Sequence, residues 1–440
     1  MTRKRSTLAP SGRFSTLDEW LAWLETLHPK KIDFSLDRVR SVLASLELNE
    51  PPYRVITVGG TNGKGSCIAI MESIYRSAGY SVGAFTSPHL WRFNERLRFD
   101  GREATDAELI ELFEIIDAGR GSVSLSYFEF SAVAAIVLFA REQVDVALLE
   151  VGMGGRLDAV NAIDADAALI VNIDIDHREW LGEDRDSIGF EKAGIMRAGR
   201  PVIIGDANPP ASLLSAIDEK RANGILYGRD FDYLSSGRAL SWVRAGRPPV
   251  ELPAPRFGGT IQAANAAVCA ATVDELQAVL PVGHEALVEG LRRASAPGRS
   301  QRHAIDGVEW IFDVAHNPAA AACLRRELDC LPRAGHTVAV FSAMRDKDIV
   351  SVLGQFTAEV EQWFVAPVDS ERTATPESLR DVLHSLGARS TEAHGEIAAA
   401  CLAARACVQP GDRVLVFGSF YTVGPAMAAL GLYCAARSNG

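Results

Sequence analysis

The stretch Gly59-Gly60-Thr61-Asn62-Gly63-Lys64-Gly65-Ser66 holds the residue types needed to grip an anion. Glycines let backbone N–H groups wrap closely around a phosphate, and a helix starting there adds positive potential. Lys64 is then placed to neutralise the outer phosphates of a nucleotide. The pattern is a shortened relative of Gly-x4-Gly-Lys-Ser/Thr, with a glycine after the lysine. A glycine-rich turn without a ligand is the bland alternative, and the flanking strand-like and helix-like runs favour the phosphate. Glu150 closes the apolar run Asp145-Val-Ala-Leu-Leu-Glu, and an acid at the carboxyl end of a buried parallel strand faces the ligand crevice of such sheets. Magnesium takes hard oxygen ligands and often few of them from protein. Beside a phosphate loop Glu150 is a metal candidate; alone it fits a surface salt bridge equally well. His177, in Asp174-Ile-Asp-His, is either a structural imidazole or a ligand. Lys192, in Glu191-Lys-Ala-Gly-Ile, is either a solvated helix lysine or a buried amine able to lose its proton and react.

Such groups need rigid elements to hold them. Val55–Val58, Ser81–Phe85, Asp145–Val151, Ala167–Ile173 and Pro201–Ile204 read as buried strands, and Ser66–Ala78, Asp106–Ala118 and Phe128–Glu142 as helices between them. That alternation predicts an α/β fold with a mainly parallel, doubly wound sheet. Leu226–Pro255 is less regular and suits short antiparallel strands. Pro297 and Gly298, within Ala294–Arg299, mark a hinge. Beyond it strand candidates recur at Trp310–Val314, Thr337–Phe341, Trp363–Val365 and Arg413–Phe417, with helical patterns at Ala319–Leu328 and Pro376–Leu386. A second, smaller α/β domain is expected, dividing the chain into 1–295 and 296–440.

The bulk properties bound the rest. A chain of 440 residues, 48% hydrophobic and 23% charged, is long enough for two or three domains and unlike a disordered protein. The formal charge of −11 argues against nucleic acid held on a basic surface. Cysteines 67, 269, 323, 330, 401, 407 and 434 form an odd, scattered set with no Cys-x-x-Cys, as expected of reduced thiols in the cytoplasm. Met1–Ser6 lacks the apolar core of a secretory signal. Ala132–Ala140, the longest apolar stretch, is too short to span a bilayer and reads as a buried helix.

Taken in order, Gly60–Ser66, Thr86-Ser-Pro-His-Leu90, Asn94-Glu-Arg96, Leu149–Asp158, Asp176–Gly182, Glu191–Ile195 and Asp313-Val-Ala-His-Asn-Pro318 resemble the folylpolyglutamate synthase and dihydrofolate synthase family, of the bacterial bifunctional type, within the Mur-type ligases. The resemblance spans nearly the whole chain. It implies an N-terminal P-loop ATPase domain, a C-terminal Rossmann-like domain and an active site between them. It also implies that Thr61, Asn62, Gly63, Lys64, Gly65 and Ser66 bind ATP phosphates, with Asn265, Arg299 and Asp313 closing on the nucleotide. Ser87, Glu150, His177 and Lys192 would serve two magnesium sites, Lys192 as a carbamate (N6-carboxylysine). Lys64 and Lys192 would be the catalytic pair. Dihydropteroate would be bound by Phe34, Ser35, Leu36 and Asp37, by Ser126, Tyr127, Phe128 and Glu129, and by Leu157, Asp158 and Ala159. The expected reaction joins glutamate to dihydropteroate, and further glutamates to folates, through an acyl phosphate. No nucleic acid or membrane is expected as a partner, and the chain is expected to be a monomer.

Three positions depart from the family pattern: Ser35 for glycine, Val160 for threonine and Tyr421 for histidine. None is a phosphate or metal group, so they bear on the choice of folate substrate. Two other functions stay in view. A Mur-type ligase acting on a cell-wall precursor would accept UDP-linked muropeptides. A P-loop switch protein would hydrolyse nucleotide slowly, indifferent to glutamate and pteroate.

Overall fold

The computed structural model describes residues 13–30, 33–236 and 239–433; Met1–Ser6 and Cys434 lie outside them. Eight strands form the first sheet: β1 (Arg54–Gly59), β2 (Val82–Phe85), β3 (Leu97–Phe99), β4 (Arg102–Glu103), β5 (Val146–Glu150), β6 (Ala167–Ile170), β7 (Pro201–Ile204) and β8 (Asn223–Leu226). Their order is β4-β3-β2-β5-β1-β6-β7-β8. The six strands from β2 to β8 across the sheet pair in parallel, while β3 and β4 add an antiparallel edge.

Side chains alternate across a strand, so the central strands are apolar on both faces. Val55 of β1 packs with Trp20, Leu112, Phe113 and Phe130, under the helices Leu17–Leu27, Asp106–Arg120 and Tyr127–Arg141. Ile56 and Val58 point the other way, into a core with Ile68, Ile74, Ala267 and Leu291 from the helices Lys64–Ser77, Thr260–Glu275 and His284–Arg293. Within Tyr127–Arg141 the stretch Ala132–Ala140 is buried as far as Phe139, as its composition suggests, and Ala140 is half-buried. Two helices near the start, Leu17–Leu27 and Asp37–Ser45, went unanticipated.

One strand is shorter than expected. Ala167–Ile173 leaves the ladder after Ile170 because other partners claim its backbone. The carbonyl of Asn172 accepts from Thr61 N at 3.0 Å, and Ile173 N donates to Asp206 Oδ2 at 2.7 Å. His177 therefore does not sit at a strand end. It begins the four-residue helix Arg178–Leu181 with a left-handed φ of 53°.

A small antiparallel sheet follows, built from β9 (Phe231–Ser236), β10 (Ala239–Arg244) and β11 (Val250–Pro253) in the order β11-β10-β9. The last sheet contains β12 (Gln301–Ile305), β13 (Val308–Asp313), β14 (Thr337–Phe341), β15 (Gln362–Val365), β16 (Thr391–Ala393) and β17 (Arg413–Phe417), ordered β12-β13-β17-β14-β15-β16. Only β12 runs antiparallel there. Helices cover both faces and bury two apolar clusters. One of those clusters takes in a residue from far upstream. Leu90 packs among Val308, Trp310, Phe312 and Val314, and its carbonyl lies where any Cβ on Gly424 would be 1.8 Å away.

No helix among the described residues is long and apolar enough to cross a membrane.

Candidate active site

The phosphate loop leaves β1 and enters the helix Lys64–Ser77. Gly60 and Gly63 have φ of 144° and 85°, a region that side chains disfavour. At Gly63 a Cβ would also lie 2.8 Å from Asn265 Oδ1. The loop is pinned from β6 outward: Asn172 Oδ1 accepts from Thr61 N (3.2 Å) and Asn62 N (2.9 Å), and Thr61 Oγ1 donates to the carbonyl of Asp174 (3.0 Å). Lys64 Nζ folds back to the carbonyls of Gly60 (3.1 Å) and Thr61 (3.3 Å). At Gly65, the departure from the general pattern, a Cβ would make ordinary contacts of 3.5 Å with Arg299 Nη2 and Glu150 Oε2, so the position faces both groups without a steric demand for glycine.

Lys192 lies in the last turn of the helix Arg185–Ala193, which Asp184 caps. Only 4% exposed, it donates to the same Gly60 carbonyl at 3.0 Å. Burial first, then the charge of Lys64, push its ammonium down to about 7. An amine poised near neutrality is reactive, and the solvated alternative falls away. Glu150 ends β5, buried, and accepts from Ser87 N at 3.1 Å. Burial raises its carboxyl against Lys64, the Ser87 N–H and Arg299, which lower it. Burial likewise takes the His177 imidazole down to about 4 although Asp176 opposes the shift, so the ring is neutral at pH 7 and its lone pair is free.

The domain built on the last sheet supplies the opposite wall. Arg299 lies 4.9 Å from the Phe420 ring centroid. Asp313, at the end of β13, accepts from Ser300 N (2.8 Å), Ser300 Oγ (3.1 Å) and Ala315 N (2.8 Å). It holds the corner that carries Arg299. Asn265 is fixed by its donation to Gln262 Oε1 at 2.9 Å.

Thr61, Asn62, Gly63, Lys64, Gly65, Ser66, Ser87, Glu150, His177, Lys192, Asn265, Arg299 and Asp313 all border one cleft of about 230 Å³. A larger cavity of about 820 Å³ shares its Ser87, Glu150 and Arg299 wall and runs along Glu72 and Arg98. Among the described residues no three His, Cys, Asp or Glu side chains cluster to hold a metal unaided. A buried carboxylate, a neutral imidazole and an amine near neutrality instead fit a cation that keeps phosphate oxygens and water in its shell.

The residues expected to bind pteroate stand behind this cleft, and none of them borders it. Phe128 covers Gly152, where a Cβ would be 2.6 Å from its ring, and meets Phe85 at 5.8 Å. Phe34 meets Trp180 edge-on at 5.7 Å. Asp158 accepts from Met153 N at 2.9 Å, and burial lifts its carboxyl to about 7. Gly152, Met153 and Leu181, next to Trp180, do line the cleft, so this set shapes one wall from behind. Several of its members have structural work. Ser126 and Glu129 form the capping box of Tyr127–Arg141. Glu129 pairs with Arg38 at 2.8 Å. Ser35 Oγ accepts from Asp37 N at 3.2 Å, Asp37 opens a helix and Leu36 precedes it. Ala159 and Val160 are core residues, while Leu157 is half-buried. Tyr127 lies against the Arg96 guanidinium, 5.3 Å from its ring centroid. Tyr421 is 46% exposed and within electrostatic reach of Arg96 and Tyr127.

Asp176, His316 and Asn317 stand in stretches that carry the resemblance but have no role assigned there, and Lys347 and Phe420 lie outside those stretches. Lys347 sits in the charged run Arg345-Asp-Lys-Asp348, which reads as solvated surface, and the partners of the others are remote in the chain.

A family model described as the Mur ligase, glutamate ligase domain matches residues 298–420. Over 426 residues the chain is 40% identical to the dihydrofolate synthase/folylpolyglutamate synthase of Escherichia coli K12, covering 97% of each protein. The structure of E. coli FolC in complex with DHPP and ADP superposes with a TM-score of 0.88 at 40% identity, over 95% of this chain and 98% of that one. The bifunctional folylpolyglutamate synthase/dihydrofolate synthase of Yersinia pestis, complexed with AMPPNP and Mn ion, gives 0.86 at 37% identity, over 97% and 100%.

Proposed function

Since the chain belongs to the dihydrofolate synthase/folylpolyglutamate synthase family and is an ATP-dependent ligase, we propose that it joins glutamate to dihydropteroate and adds further glutamates to folates, in one cleft between two domains divided near residue 295. The observation that carries this is the convergence of Lys64, Glu150, His177 and Lys192 with Arg299 and Asp313 around that cleft.

A carboxylate does not condense with an amine at neutral pH without a leaving group. Transfer of the γ-phosphoryl from ATP to the substrate carboxylate supplies one. The glutamate amine then attacks the acyl carbon, phosphate departs, and ADP, phosphate and the amide remain. Lys64 and the loop N–H groups hold the transferring phosphoryl, where fixed positive charge counts most. Arg299 meets the same phosphates from the second domain. Ser87, Glu150, His177 and Lys192 would hold divalent metal, magnesium in two sites, which supplies charge neutralisation at the phosphates. As a neutral amine, Lys192 adds to carbon dioxide and releases a proton, becoming an anionic carbamate with oxygen ligands. Phe34, Trp180 and Phe128 present flat apolar surface suited to a pterin. The protein acts as a cytoplasmic monomer on small molecules.

The test is phosphate release with ATP, magnesium and glutamate, offering dihydropteroate or tetrahydrofolate in turn. Release that depends on both acceptor and glutamate is expected. Release driven by UDP-muropeptides, or indifferent to every acceptor, would overturn the proposal.

A further inference from the structure

Asn317 precedes the helix Pro318–Asp329 and caps it, Oδ1 accepting from Ala320 N at 2.9 Å. That job uses one end of the amide. The rest of its bonding leaves the second domain altogether. Asn317 Nδ2 donates to Asn62 Oδ1 at 3.0 Å, and Asn62 Nδ2 returns a bond to Asn317 Oδ1 at 3.3 Å, between residues 255 positions apart. The same Nδ2 reaches Asp176 Oδ2 at 3.3 Å. Asp176 in turn takes Lys347 Nζ at 2.5 Å and lies 3.5 Å from His316 Nε2. Asp176 and Lys347 are only about a tenth exposed (10% and 11%).

We propose that Asn317 is a positioning residue which couples the second domain to the active site, setting the phosphate loop through Asn62 and the His177 segment through Asp176. The inference rests on the proposed roles of the phosphate loop and His177. Its logic is geometric. The two amides exchange bonds only when each oxygen faces the other's nitrogen. Ala320 N and Asp176 fix which end of Asn317 is which. Hydrogen bonds fade steeply beyond their normal range, so a shift of about 1 Å between domains breaks the pair. Misplacement on that scale far from the chemistry can cost about a hundredfold in rate. Asp176 precedes His177, so the same contact bears on both loops that frame the phosphates.

A capping role and a coupling role separate in one substitution. Asn317→Asp keeps the acceptor that a helix cap needs, but loses both N–H donors and brings a carboxylate against Asp176. Expected for Asn317→Asp is a kcat at least about tenfold down with hydrogen exchange in the first turn of Pro318–Asp329 unchanged. For Asn317→Ala the same kcat loss should come with faster exchange in that turn, where the cap is gone. In the cycle of Asn62→Ala, Asn317→Ala and their double variant, the double should turn over no more slowly than the worse single. Wild-type kcat in Asn317→Asp, or single effects that multiply in the double, would overturn the proposal. Absence of ligase turnover in the wild type would count against the function alone. X-ray scattering from the full chain still decides the coupling in that case: Asn317→Asp should enlarge the radius of gyration, and an unchanged radius would overturn it.

Discussion

Lys64 and Lys192 share a single carbonyl, that of Gly60, so two lysine nitrogens compete for one acceptor. The less buried end of that competition is Lys64, whose charge has no substitute within the loop. Lys64→Ala should lower kcat by about a hundredfold or more while circular dichroism melts stay at the wild-type midpoint. Lys192 is the buried end, and its amine titrates near 7 rather than 10.5. Between those values the unfolded chain holds the proton and the folded chain does not. Stability should therefore rise with pH across that window in carbon-dioxide-free buffer. Urea titrations at pH 6.5 and 9 check this, and Lys192→Met should flatten the difference. With ¹³C-bicarbonate the wild type should show a carbamate resonance absent from Lys192→Arg, which stays cationic. At this scale the sequence was informative wherever chemistry is local: Gly59–Ser66 declares itself by residue type and spacing. Asp176 and Asn317 do not, because their partners Lys347 and Asn62 lie 171 and 255 positions away. No window of sequence contains both halves of either contact.

Elements were legible where periodicity alone determines them. The buried strands and the helices Lys64–Ser77 and Tyr127–Arg141 follow from apolar runs and their punctuation. The end of β6 does not, since Ile170 and Ile173 are equally apolar and only the claims of Thr61 and Asp206 on the backbone separate them. Leu17–Leu27 does carry a signal in its sequence, the Thr16 and Glu19 capping box. One element-level contact gives a prediction. The last helix, Phe420–Ala429, passes so close to the Thr86–Leu90 segment that Gly424 has no room for a side chain. Gly424→Ala should destabilise the fold by about 1–3 kcal/mol. It should also raise the magnesium concentration needed for half-maximal turnover severalfold, because Ser87 rides on the displaced segment. Unchanged magnesium titrations in a folded variant would separate Ser87 from the metal.

On the scale of the whole molecule a chain of charge −11 brings Lys64 and Arg299 to one cleft, the arrangement that draws in a polyanion despite the total. A nucleotide held by both domains should stabilise them jointly. ADP with magnesium at a hundred times its Kd is worth about 2.7 kcal/mol, seen as a raised melting midpoint, and Arg299→Ala should remove most of that rise. The two-domain plan was legible from the restart of strand and helix alternation past Pro297, whereas which upstream residue completes the second core was not. Leu90 does so, seated among Val308, Trp310, Phe312 and Val314. The molecule is thus interlocked in a way its linear order conceals. If the gene were split within the Ala294–Arg299 corner, the downstream fragment would fold around a leucine-sized hole and the upstream fragment would bear an orphan side chain. Co-expressed, the halves should find each other by filling that hole, a ready-made fragment complementation pair whose reassembly Leu90→Asp would abolish.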